Sequence, residues 1–229
     1  MKYEILHEDA FPLIRCDLEK GESLKAESGA MVAMSPTLSV EGKMEGGILS
    51  GLARSFLAGE KFFFQEIVAK QGAGYVLLAH ALPGGIVSVE LDGSYDLRVQ
   101  KDGFLAATDG VKVDTKMQNL SKGLFSGEGF FIVNISGRGT VFLSSYGAIH
   151  SVDVPAGEEM IIDNGHLVAW PAHMSYEIKK ASSGWISSFT SGEGLACRFK
   201  GPGRVLIQTR NPDAFEGWIR SLLPTSKDD

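Results

Sequence analysis

Residues 127–143 read GEGFFIVNISGRGTVFL: a Gly-Glu pair, an apolar run, a Gly-x-Gly and a second apolar run. Runs this short, rich in β-branched and aromatic residues and bounded by glycine, read as strands rather than helices. The same order recurs as GEKFFFQEIVAKQGAGYVLL from Gly59 and as GEGLACRFKGPGRVLI from Gly192. The glycine pairs are Gly72/Gly74, Gly137/Gly139 and Gly201/Gly203, so the spacings are 137 − 72 = 65 and 201 − 137 = 64.

The repeat extends upstream. LIRCDLEKGESLKAESGAMVA from Leu13 aligns without a gap to IHSVDVPAGEEMIIDNGHLVA from Ile149. IVSVELDGSYDLRVQKDGFLAA from Ile86 matches both once one inserted residue is allowed, which makes Gly29, Gly103 and Gly165 equivalents, with Asp17, Glu90 and Asp153 as a second set. Three units result, about 13–85, 86–148 and 149–210. Self-similarity at a fixed period means one supersecondary unit that cannot bury its apolar face alone. The expectation is one all-β domain over 1–229: three pseudo-repeats of short antiparallel strands in a jelly-roll or prism-like sandwich. Each unit covers its neighbour, the ring closes about a pseudo-threefold axis, and the Gly-x-Gly pairs form hairpin turns.

The tail has a different period. Asn211-Pro212 supplies an N-cap and first-turn proline, and Phe215, Trp218, Ile219, Leu222 and Leu223 fall at helical spacing before Pro224. This predicts a short C-terminal helix over about 212–223 that docks on a sheet or on a neighbouring subunit.

Composition agrees with many tight turns. Glycine is 28 of 229 residues, about 12%, against a usual value of about 7%. The net charge of −6 and thin Lys/Arg clusters argue against nucleic acid, whose binding relies on neutralised phosphates. No apolar run reaches the length of a signal-peptide core or a membrane-spanning helix. Cys16 and Cys197 lack metal-ligand spacing. They read as free thiols in a reducing cytoplasm, with a bridge between the chain's two ends as the alternative.

The tracts SGAMVAM (28–34), GGILSGLARSFLAGEKFF (46–63), SGEGFF (126–131), DNGHLVAW (163–170) and GEGL…IQTR (192–210), together with the Gly-x-Gly units, resemble the family named for altered inheritance of mitochondria, number twenty-four. This is also domain of unknown function 124, grouped by fold with the tryptophan RNA-binding attenuation protein. The resemblance covers about residues 1–212. It implies an all-β, jelly-roll-like fold with repeated sheets and supplies no catalytic residues. The attenuation protein's tryptophan and RNA contacts have no matching motif here. Absence of a mitochondrial presequence points to a prokaryotic, cytoplasmic relative.

Chemistry-bearing candidates are few. Glu60, Glu128 and Glu193 are equivalents, and three converging carboxylates would call for a hard cation; the alternative has each one capping a turn or facing water. His7, His80, His150, His166 and His173 show no paired-ligand spacing. There is no GxSxG elbow and no phosphate loop. No catalytic residue and no cofactor are expected.

Before each Gly-Glu stands an apolar, glycine-containing loop. The first carries Leu49, Leu52 and Phe56, the second Leu124 and Phe125, the third Trp185, Ile186 and Phe189. Either they plug the core or they form a rim for a partner, a second subunit or a membrane surface. The reading that follows is a non-enzymatic, self-associating scaffold or binding protein. The alternative is a small-ligand or metal-binding barrel, possibly a cryptic enzyme.

Overall fold

The computed structural model describes residues 1–8, 10–41, 64–114, 132–180 and 195–223. A first strand, β1 (Lys2–Leu6), precedes the repeats. Unit 1 supplies β2 (Leu13–Leu18), β3 (Ser23–Glu27), β4 (Met31–Met34), β5 (Ser39–Glu41), β6 (Phe64–Val68) and β7 (Gly74–Leu78). Unit 2 supplies β8 (Ile86–Asp92), β9 (Leu97–Gln100), β10 (Phe104–Thr108), β11 (Val111–Asp114) and the long β12 (Ile132–Ser144). Unit 3 supplies β13 (Ile149–Val154), β14 (Glu159–Asp163), β15 (Leu167–Pro171), β16 (Tyr176–Lys180), β17 (Leu195–Lys200) and β18 (Gly203–Gln208). The helix α1 (Pro212–Leu222) ends the described chain.

Each unit repeats one pairing scheme. Its last strand lies between its first and third: β7 between β2 and β4, the second half of β12 between β8 and β10, and β18 between β13 and β15. Its fifth strand lies between its second and fourth: β6 between β3 and β5, the first half of β12 between β9 and β11, and β17 between β14 and β16. The third strand carries a register shift at the same place in every unit, between Met31 and Ala33, Phe104 and Ala106, and Leu167 and Ala169. A bulge copied three times is a property of the repeat rather than a local defect.

The ladders fix the equivalences. Asp17, Glu90 and Asp153 face Tyr75, Thr140 and Arg204, each the residue after the second glycine of its pair. They are equivalents, as expected. Gly103 is not the counterpart of Gly29 and Gly165. The shared bulge equates Met31, Phe104 and Leu167, so the three units align without an insertion and Gly103 matches Ala30 and His166. A glycine-to-glycine match had outweighed strand register.

The Gly-x-Gly pairs are corners rather than hairpins. β6 and β7 pair with different strands and lie in different sheets, as do β17 and β18, while β12 runs through its corner as one bent strand. Gly139 shows what the corner demands. Its φ is +142°, and a Cβ there would stand 2.2 Å from Thr108 Oγ1.

Units are joined by sheet pairing. The third strand of one unit pairs antiparallel with the second strand of the unit before it. β10 joins β3 with Ala106 opposite Ala26, and β15 joins β9 with Ala169 opposite Val99. Backbone links between units repeat too: Gly147 N–H donates to Pro83 O, and 63 residues on Arg210 N–H donates to Tyr146 O. The apolar cores follow this plan. The unit 1 core includes Leu105, Ala106 and Phe142 of unit 2, and the unit 2 core includes Val168 and Ala169 of unit 3. The unit 3 core contains Ile132 of unit 2 and, among the described residues, nothing from unit 1.

Strand pairing therefore does not close the expected ring. β4 is the last strand of the sheet β1-β2-β7-β4, and β14 is the last strand of β14-β17-β16. The helix begins as its sequence implied, with Asn211 Oδ1 accepting from Asp213 N–H at 2.9 Å and Ala214 N–H at 3.3 Å. None of its residues is buried; Phe215 leans on the Tyr146 ring, and the rest of the apolar stripe stays exposed.

Candidate functional site

The two unfilled edges are where the chain departs from its own pattern. The β4 residues Met31 and Val32 are 37% and 56% exposed, whereas their equivalents Phe104 and Leu105 in β10, and Leu167 and Val168 in β15, are buried. On the other edge, Met160 is 40% exposed where its equivalents Leu24 and Leu97 are buried. Neither β4 (Met-Val-Ala-Met) nor β14 (Glu-Met-Ile-Ile-Asp) holds a proline, and β4 has no charge. Natural edges are usually blunted by charge, proline or a covering element. The edge strands β8 and β13 show that defence, presenting Ser88 and Glu90, and His150, Ser151 and Asp153, to water.

One position sharpens the contrast. At the inner seams the second strand sends a cation across to the following unit. Lys25 Nζ donates to Val111 O at 2.6 Å, and the Arg98 guanidinium lies 5.4 Å from the Tyr176 ring centre. The equivalent in unit 3 is Ile161, 44% exposed. The unit 1 counterpart of Tyr176 is Val40, also exposed. An apolar pair thus stands, unmatched, where the other seams use a cation. This was readable from the aligned repeats: Lys25, Arg98 and Ile161 occupy one column, and only the last is apolar.

The other candidates sort as follows. Glu60, Glu128, Glu193, Leu49, Leu52, Phe56, Leu124, Phe125, Trp185, Ile186 and Phe189 lie outside the described residues. The strands that bound their three segments are described, and each segment joins a unit's fourth strand to its fifth, at equivalent places in the three units. Among the described residues no group of three or more His, Cys, Asp or Glu could hold a metal ion. The histidines are scattered: His80 Nδ1 stands 3.6 Å from Glu27 Oε2, and His166 Nδ1 is 2.7 Å from Gln208 O.

Cys16 and Cys197 are free and buried in separate cores, so no bridge ties the ends. Burial pushes both thiols up to about 12, leaving them protonated and unreactive at neutral pH. Among the described residues no helix is long and apolar enough to cross a membrane.

The profile of the family described as "Mitochondrial biogenesis AIM24" matches residues 3–210, spanning all three repeats. The chain belongs to that family. Among its AIM24-family relatives, an uncharacterised protein of Streptococcus pyogenes serotype M6 is 33% identical over 233 residues, covering 99% of this chain and 92% of that one. A crystal structure of a Streptococcus pyogenes protein superposes with a TM-score of 0.80 at 32% identity, covering 97% of this chain and 99% of the other. The relatives match along nearly their whole length, and the superposed structure shares the three-unit plan; their names assign no activity.

Proposed function

We propose that the chain is a non-enzymatic scaffold or binding protein that works in the cytoplasm as an assembly of its own copies, presenting its apolar, glycine-containing segments to a protein or membrane-surface partner. The observation that carries this reading is the pair of half-sheets ending in β4 and β14, apolar and exposed where every equivalent strand is covered. A repeat array with uncapped ends has unsatisfied apolar area and unpaired backbone groups at both termini, and association removes both costs. The strands that bound the three apolar, glycine-containing segments, β5 and β6, β11 and β12, and β16 and β17, occupy equivalent places in the three units, which supports a partner contact repeated in each unit.

Native mass spectrometry of the purified protein tests the proposal. A defined oligomer free of adducts is the expected result. A monomer at every concentration, or a stoichiometric metal or small molecule on each chain, overturns it.

A further inference from the structure

We infer that β4 of one copy pairs antiparallel with β14 of a second, Ala33 opposite Ile162 and Met34 opposite Ile161, completing a sheet that each chain leaves in halves. The inference rests on the self-association reading and adds to it the partner, the strands and the register.

The argument is one of equivalence. Within the chain, two sheets are built from the first, sixth and third strands of one unit joined to the second, fifth and fourth of the unit before. These are β8-β12-β10-β3-β6-β5 and β13-β18-β15-β9-β12-β11. Left over are β2-β7-β4 from unit 1, with β1 added outside, and β14-β17-β16 from unit 3. Joined at β4 and β14, these two halves reproduce the strand order of the other two sheets. The register follows from the inner seams. Ala107 faces Lys25 and Trp170 faces Arg98; the matching pair across copies is Met34 facing Ile161. A register slip of one residue would turn Ile162, now in the core, toward solvent, so the pairing is well specified.

The same join accounts for the exposed apolar residues. Met31 and Val32 take the covered positions held by Phe104 and Leu105, Met160 takes that of Leu24, and Ile161 reaches Val40 as Arg98 reaches Tyr176. The replacement of cation by isoleucine at this seam makes the contact between copies apolar where the contacts within a copy are mixed. The helix stands at the same place: its N-cap Asn211 packs against Gly165, two residues beyond the end of β14. Because β4 and β14 are different surfaces, the contact is head-to-tail. Copies then close into a ring if the rotation permits and otherwise extend into a filament.

Variants with one added cysteine, Met34→Cys and Ile161→Cys, test the join, since directly opposed residues of an antiparallel pair bring Cα atoms within disulfide range. The native thiols are buried and stay silent. Each variant is purified alone, then mixed with the other, with oxidised glutathione as oxidant. A band at twice the chain mass that forms in the mixture and in neither variant alone is the expected result. Cross-linking of Met34→Cys with itself overturns the head-to-tail pairing. A defined wild-type oligomer whose mixed variants never cross-link overturns the seam and leaves self-association standing. A wild-type monomer at all concentrations removes both. Ile161→Asp, which sets a carboxylate against the apolar β4 of the second copy, gives a second readout: loss of the oligomer while the circular dichroism spectrum keeps its strand signature.

Discussion

The seams β10/β3 and β15/β9 and the unpaired strands β4 and β14 are built from the same repeat positions, yet one set is sealed and the other is open to water. The sequence differences are small. β10 carries Phe104-Leu105-Ala106-Ala107 and β4 carries Met31-Val32-Ala33-Met34, equally apolar. What differs is whether a following unit exists to supply the partner. An edge that keeps an interior composition without an interior neighbour is an edge that expects one. β8 and β13, which are edges in every unit after the first, carry polar residues instead.

The comparison can be broken most directly by truncating one position in both settings. Leu105→Ala opens a cavity in a packed core and should cost about 2–5 kcal/mol in urea unfolding. Val32→Ala, at the equivalent position, should stay within about 0.5 kcal/mol at concentrations where the protein is monomeric. Equal losses at the two sites would mean that β4 is covered within the single chain. Next in size is Gly139→Ala. The added methyl meets Thr108 Oγ1, which itself accepts from Thr140 N–H at 3.0 Å, and the φ of +142° disfavours any side chain. A loss of about 1–3 kcal/mol is expected from overpacking and backbone strain together.

The repeat, its strand content and the final helix were legible because each leaves a local mark: glycine at corners, alternation along strands, a proline-led helical stripe. Cys16 and Cys197 also read correctly as free thiols. The corners were misread as hairpins because a Gly-x-Gly between two apolar runs carries the same signal whether its strands pair with each other or leave for different sheets. Closure about a threefold axis was misread for a related reason. Repeats announce that neighbours cover one another, but the angle between units is set by packing, which the pattern of residues does not encode. The edge residue Val32 leaves no mark because an exposed apolar strand and a buried one have the same composition, whereas Ile161 does leave one, as the apolar member of a column with Lys25 and Arg98 whose meaning depends on which strands meet.

The smallest expected effect is a chemical one, and it separates the closed interior from the open edges. Burial holds Cys16 and Cys197 near 12, so at pH 8 the reactive thiolate is a very small fraction of each. Access is blocked as well, since both side chains are fully covered. A thiol reagent added to native protein should therefore label neither residue, and label both once urea unfolds the chain. The sign follows from the shift. A thiol whose folded value lies above its ordinary one is held as SH by the fold, so raising the pH toward 12 ionises it only at a cost to stability. A cysteine placed at Ile161 has no such protection and should label rapidly in dilute protein. If β14 is covered by a second copy as the concentration rises, that labelling slows while Cys16 and Cys197 stay silent throughout. Rapid labelling of Cys197 in the native state would mean that the unit 3 core opens on its own, and the contrast between sealed seams and waiting edges would then be one of degree.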